Sequence, residues 1–233
     1  GGGFGGKEDL AVQGHASLAA FLMKKPVRVA LTREESICMH PKRHPLTMEI
    51  EMGCDSNGRF TFVKSDIIGD TGAYASVGMK VLERAAGHAT GAYHVDAVEV
   101  RSRAVYTNNI PCGAMRGFGV NQINFAVESC VDELCEMGGF DRWQIRYDNA
   151  LTPGGMTSTG QVLQSGIGIR KTLEAVKDVF QQSRHAGIAC GIKNTGIGNG
   201  VPDTGKVKIV IESPERILTV SYTHLRAHET FAN

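Results

Sequence analysis

The sequence predicts an α+β fold, with helices packed on mixed, largely antiparallel sheets, and three features point there. Residues 47–52 and 60–68 alternate apolar and polar side chains on either side of a turn sequence. Glycine-punctuated loops at residues 1–6 and 113–119 each feed a helix-forming segment. Residues 206–211 and 217–220 form a further strand pair near the end of the chain. With 233 residues, 42% of them hydrophobic, there is enough chain for one large domain or two small ones.

Taken in order, residues 9–24 are dense in helix formers, among them Leu10, Ala16, Leu18 and Ala19, and Pro26 stops them. Residues 27–31 alternate as a strand. Asp55-Ser56-Asn57-Gly58 contains an Asn-Gly pair able to adopt positive backbone angles, so an antiparallel hairpin is expected around it. Residues 79–88 are Ala-rich and helical, and residues 95–106 alternate as a strand that runs into a loop at Asn108-Asn109-Ile110-Pro111. Ile123, Val127, Cys130, Val131 and Leu134 form one apolar face of a helix over 122–137. Asp141 is placed to cap a helix running through Tyr147, residues 153–160 form a loop, and residues 169–180 form an amphipathic helix. Residues 187–200 are glycine-rich.

A domain boundary is expected near Arg184, giving a first domain at 1–184, truncated at its start, and the opening of a second at 185–220. Residues 221–233 abandon the apolar rhythm of the preceding strands and hold two of the eight histidines, so they are expected to be a non-native tail.

The charge balance, 25 Lys and Arg against 24 Asp and Glu, gives a net +1 and no basic field to recruit nucleic acid or an anionic membrane. Six cysteines without a C-x-x-C pair write neither a zinc knuckle nor an iron–sulfur ligand set and are expected to be reduced thiols. No apolar run reaches the ~18 residues of a membrane span, and a cytoplasmic protein is expected. His15, His40, His44, His88, His94 and His185 lack ligand spacing and are expected at the surface or satisfied in the core.

Gly1-Gly2-Gly3-Phe4-Gly5-Gly6 satisfies the G-x-G-x-x-G pattern of dinucleotide sites. That pattern needs a strand before it and an acid about 20 residues on, yet nothing acidic lies between Asp9 and Glu34. A nicotinamide-binding dehydrogenase and a cofactor-free structural domain remain as alternatives. The density of bare backbone instead suits a bulky, polar ligand resting against the chain.

Gly1 to Glu8, Gly-Gly-Gly-Phe-Gly-Gly-Lys-Glu, resembles the cofactor loop of the large subunit of xanthine dehydrogenases and aldehyde oxidases. Ala114-Met115-Arg116-Gly117-Phe118-Gly119-Val120-Asn121-Gln122 resembles the same family's second molybdenum loop. Asp70-Thr71-Gly72-Ala73-Tyr74 and Leu82-Glu83-Arg84-Ala85 fall between them in the family's order. The likeness runs from residue 1 to about 220, and Tyr106-Thr107-Asn108-Asn109-Ile110-Pro111 together with the Gly-Lys-Glu-Asp-Leu opening inclines it to the selenium-dependent xanthine dehydrogenase branch.

The resemblance implies a fragment of a molybdenum hydroxylase of purine catabolism, acting on xanthine, hypoxanthine or a related N-heterocycle. In such enzymes a molybdenum hydroxyl attacks a ring carbon, hydride passes to a sulfido or selenido ligand, and a glutamate takes the proton. It implies a molybdenum–molybdopterin cofactor, in a plain or a cytosine dinucleotide form, iron–sulfur clusters and FAD on other domains or subunits, and an oligomeric assembly. Gly3, Phe4 and Gly5, with Arg116 and Gly117, are the implied cofactor contacts, Phe4 and Arg116 lying near the metal through their backbones. Glu8 and Arg84 match the pair that hydrogen-bonds a purine from opposite ends, and Phe118 the aromatic that packs on its ring.

A guanidinium aimed at an oxygen that gains charge in the transition state suits that chemistry in its own right. Blander roles compete: Glu8 as a helix cap, and Arg84 as a surface charge paired with Asp70 or Glu83. Met115 departs from the aromatic that many purine-oxidising relatives carry there, so an aldehyde- or nicotinate-type hydroxylase stays open. The family's base glutamate is absent from these residues, and the fragment alone is expected to be inactive.

Overall fold

The computed structural model describes residues 4–194, 205–213 and 215–223. Helix α1 (Gln13–Met23) starts later than the composition of 9–24 suggests and ends on Lys24, whose φ of 51° turns the chain out of the helix. Residues 27–31 are not a strand, because among the described residues no neighbouring strand pairs with them. A helix not anticipated, α2 (Arg33–Met39), follows directly. Thr32 starts it: its hydroxyl accepts from the Glu35 N–H at 3.2 Å, and the Glu35 carboxylate accepts from the Thr32 N–H at 2.7 Å. Neither α1 nor α2 contains a buried residue.

Strands β1 (Leu46–Cys54) and β2 (Phe60–Asp70) form the expected antiparallel hairpin, Met48 opposite Ile67 and Met52 opposite Val63. Its turn is wider than a two-residue Asn-Gly connection. Gly58 takes the positive φ, +79°, without Asn57, while the Asp55 carboxylate accepts from the Asn57 and Arg59 N–H groups at 2.8 and 2.9 Å.

Helix α3 (Gly78–Ala86) lies in the crossover to β3 (Ala97–Val105), which runs parallel to β2 on its other edge, with Phe62 facing Ala97 and Asp70 facing Val105. Alternation gives the sheet one apolar face. Leu46, Met48, Ile50 and Met52, with buried Val63 and Ile67, meet Val81, Leu82 and Ala85 of α3 and the fully buried Ile123, Val127 and Val131 of helix α4 (Val120–Gly138).

Asp141 caps α5 (Arg142–Asn149) as expected, its carboxylate accepting from the Gln144 N–H at 2.7 Å. The buried Trp143 joins α5 to α6 (Ile169–Gln182) by donating to the Leu173 carbonyl at 2.8 Å. Strands β4 (Gly205–Ser213) and β5 (Arg216–Thr223) pair antiparallel, and β5 continues through Ser221 to Thr223. The structure is thus the expected α+β arrangement on mixed sheets. Gly3, the glycine run at 195–200 and residues 224–233 of the expected tail lie outside the described residues.

Candidate functional site

Parallel pairing decides where the site forms. Because β2 and β3 end side by side at Asp70 and Val105, the segments that follow them leave the sheet at one end. They stay joined beyond the strands: the Thr107 N–H donates to Gly72, the Ala73 N–H to Asn109 and the Cys112 N–H to Thr71, at 3.0, 3.1 and 3.0 Å. Asp70 sits at the root of this pairing. Its carboxylate accepts from the Thr107 hydroxyl, the Asn109 side-chain amide and the Gly72 N–H, and those bonds hold it below the usual carboxylate range.

The first glycine loop rests on this platform. A Cβ on Gly5 would lie 2.3 Å from the Ala114 carbonyl oxygen and 2.7 Å from the Met115 nitrogen, so the two loops meet backbone to backbone. Phe4 follows from that contact. The residue is 40% exposed, and the Arg116 guanidinium stands 5.8 Å from its ring centroid. Glu8 closes the same loop, its N–H donating to the Gly5 carbonyl at 3.1 Å. It is not the cap of α1, which begins after Val12 with no acidic residue in its first turn.

The second loop turns through three consecutive positive-φ residues, Gly117, Phe118 and Gly119, at 96°, 53° and 91°. Holding Phe118 there costs about 1–3 kcal/mol, the kind of backbone strain that clusters at ligand sites. Phe118 also packs partly against the core. Gly119 presses the loop onto α3, since a Cβ there would lie 2.3 Å from the Val81 carbonyl oxygen and 3.2 Å from the Ala85 nitrogen. That is the helical turn carrying Arg84, which is half-buried.

The two acids expected as alternative partners of Arg84 have other engagements. Glu83 accepts from Lys80 at 2.9 Å, and Asp70 is bound as described. The Arg84 carbonyl is within 2.8 Å of His88 Nδ1, and His88 Nε2 accepts from the Asn194 N–H at 3.3 Å, which carries Lys193 into the neighbourhood of Arg84. Burial and the Arg84 charge push the Lys193 ammonium down from its ordinary value. Two surface depressions lie elsewhere, on the charged face of the sheet around Lys64 and Asp66 and beside Leu173 of α6.

Arg43, His44 and Gln122 carry buried polar atoms that the sequence did not announce. Gln122 donates to the His44 carbonyl at 3.0 Å, yet Gln122 Oε1, Arg43 Nη1 and both His44 ring nitrogens are buried without a protein partner. Contrary to a surface expectation His44 is buried, and the Gly113 backbone is close enough to act on its ring although neither ring nitrogen meets normal hydrogen-bond geometry. Its segment is pulled under the second loop by the Lys42 N–H donating to Pro111 and the Gly113 N–H donating to Lys42, at 3.1 and 2.9 Å.

Burial depresses the His44 and His88 pKa values. The folded values lie below the unfolded one, so the stabilisation they reflect is complete above about pH 6.5 and lost as the pH falls through the folded values. The urea midpoint is expected to drop between pH 7.5 and 5.5, and to drop less in a His44→Leu variant. Equal slopes in the two proteins would count against this assignment.

The residues fit a large polar ligand carried on its own scaffold. Bare backbone at Gly6, an exposed Phe4, the Arg116 guanidinium and the unpartnered buried atoms of the 43–44 segment and Gln122 offer hydrogen bonds. Among the described residues no group of three His, Cys, Asp or Glu is placed to hold a metal ion by side chains. Fold and loops together give a candidate site in which two backbone loops oppose each other at the ends of parallel strands.

Comparison with known proteins gives that arrangement its family. Residues 1–150 match the molybdopterin cofactor-binding domain. The chain is 45% identical over 178 residues to the nicotinate dehydrogenase large molybdopterin subunit of Eubacterium barkeri, covering 76% of this chain and 42% of that subunit. It is 33% identical over 227 residues to a probable xanthine dehydrogenase subunit of Bacillus subtilis, covering 93% of this chain and 30% of that one. Among solved structures, the aldehyde oxidoreductase of Desulfovibrio gigas superposes with a TM-score of 0.73 at 28% identity, over 78% of this chain and 20% of that one. The quinoline 2-oxidoreductase of Pseudomonas putida does so with 0.69 at 29%, over 78% and 24%. The chain belongs to the molybdopterin-binding domain family of the xanthine dehydrogenase and aldehyde oxidase enzymes. It spans less than half the length of these relatives.

Proposed function

We propose that the protein containing this chain is a molybdenum hydroxylase of N-heteroaromatic substrates, with purines such as xanthine or hypoxanthine as the first reading. The observation that supports this reading is the seating of Gly119 on the Val81–Ala85 turn, which brings the backbone next to Phe118 onto the helix that bears Arg84. The contact of Gly5 with Ala114 joins the loop of Glu8 to the same element. In this reading Phe4, Gly5 and Gly117 offer backbone to the molybdopterin cofactor, and the Arg116 guanidinium stands over Phe4 at its edge. When bound, that cofactor supplies the oxygen nucleophile and takes up two electrons. Arg84 binds the ring oxygen that gains charge, Glu8 hydrogen-bonds the opposite edge, and Phe118 holds the ring plane.

The finer parts of the proposal are a sulfido or selenido metal ligand, a plain or dinucleotide cofactor tail, and iron–sulfur and FAD partners in a cytoplasmic oligomer. The first domain would end near Arg184. Lys193 favours a second substrate reading. A cation beside Arg84 suits a carboxylated ring, as in the relative named a nicotinate dehydrogenase.

The test is turnover by the complete enzyme on purines, nicotinate and aldehydes, repeated with Arg84→Met. Loss of about a hundredfold in kcat/KM on N-heterocycles is expected if Arg84 meets developing charge. Turnover of aldehydes alone, indifferent to Arg84, would refute the proposal.

A further inference from the structure

Asp9 follows Glu8 directly and makes a contact with no counterpart in the roles above. Its two carboxylate oxygens accept from the Ser76 hydroxyl at 2.7 and 2.9 Å. Ser76 is held at a φ of 39°, unusual for a residue with a side chain, in the segment that follows β2. Gly113, at the start of the second loop, closes the third side. A Cβ there would lie 2.3 Å from Asp9 Oδ2, 2.7 Å from Pro41 Cβ and 3.3 Å from Ser76 Oγ, so any side chain would displace the carboxylate. Three segments distant in sequence thus meet at one carboxylate, and His44 lies close enough to feel its charge.

We propose that Asp9 and Ser76 are positioning residues, a latch that fixes Glu8 relative to the second loop and so sets how tightly the substrate is held. The inference rests on the reading of Glu8 as a substrate contact. The strain at Ser76 persists because its hydroxyl donates to both oxygens of an ionised group, and hydrogen bonds to charged groups are the stronger kind. The backbone of the first loop is fixed separately by Gly5 on Ala114, which leaves the Glu8–Asp9 end as the part that the latch governs.

The test uses the complete cofactor-loaded enzyme with four variants. Ser76→Gly removes the hydroxyl while relieving the backbone, so folding is not at risk. Asp9→Ala removes the acceptor, Asp9→Asn keeps one acceptor oxygen, and Glu8→Gln tests the underlying reading. Ser76→Gly and Asp9→Ala are expected to raise KM, and the equilibrium Kd of an unreactive N-heterocycle, about tenfold. Molybdenum content and kcat should stay near parental values, and Asp9→Asn should recover much of the affinity. Unchanged KM in Ser76→Gly and Asp9→Ala, with KM raised in Glu8→Gln, would overturn the latch and leave Glu8 in its role. No change in any of the four would overturn both. Loss of molybdenum from Ser76→Gly and Asp9→Ala would also overturn the inference, by making the latch a cofactor contact.

Discussion

Replacing Arg146 by alanine is expected to destabilise the chain by about 3–5 kcal/mol, a large part of the stability of an ordinary domain. Arg146 is fully buried between α5 and α4. Its Nε donates to Glu128 at 2.8 Å, its Nη2 to Asp132 at 2.9 Å, and its Nη1 to the Arg142 carbonyl at 3.0 Å. Glu128 also accepts from the buried Tyr93 hydroxyl. Burial works against the guanidinium charge, but Glu128 and the other partners outweigh it and hold the pKa above its ordinary value. Burial and the Glu128 charge likewise push the Tyr93 phenol up.

Alanine would leave the Glu128 carboxylate buried with one phenol for company, and that orphaned charge is where most of the cost arises. Arg146→Met combined with Glu128→Leu removes both charges and should recover a substantial part of the loss. Urea unfolding followed by circular dichroism reads both. A double variant no more stable than Arg146→Ala would show that packing around the arginine, rather than the unpaired carboxylate, dominates.

The hairpin was legible because alternation and an Asn-Gly turn agree, and α4 because its apolar residues keep one face over five turns. Residues 27–31 show why alternation alone misleads: Val27, Val29 and Leu31 have the period of a strand, but a strand needs a partner, and no local signal supplies one. The converse holds for α2, whose start is written in the sequence. Thr32 and Glu35 write a capping box three residues apart, and it does start α2. The parallel course of β3 was not legible, since alternation gives the buried face of a strand and not its direction. That direction brings the site segments to one end of the sheet.

Motif letters marked the two loops and the arginine between them, and the structure sets Phe4 beside Arg116 and Gly119 on the helix of Arg84. What letters could not carry is anything made by contact between distant segments. The positive φ of Ser76 is not a property of serine, and its bond to Asp9 spans 67 positions. His44 stands between Arg43 and Pro45 in what resembles a polar connection, and it is buried only because the Lys42 bonds draw it beneath the second loop. The Arg146 network is hidden for the same reason.

Gly5→Ala is expected to cost about 3 kcal/mol and to empty the complete enzyme of cofactor. Two penalties add: a left-handed backbone for an alanine, about 1 kcal/mol, and an added methyl in a filled space, about 1–3 kcal/mol. The second is severe here because the obstacle is the Ala114 carbonyl, backbone that cannot rotate away. Gly160 supplies the control, having φ of 81° but nothing within 4 Å of the point a methyl would occupy. Gly160→Ala should therefore cost only the conformational part and leave molybdenum content intact. Thermal unfolding and metal analysis of the two variants separate strain from collision. If they lose equal stability and both keep molybdenum, the backbone contact between the loops is not what builds the cofactor floor. If Gly5→Ala alone sheds the metal while its fold persists, the floor depends on two loops being pressed closer than any side chain permits.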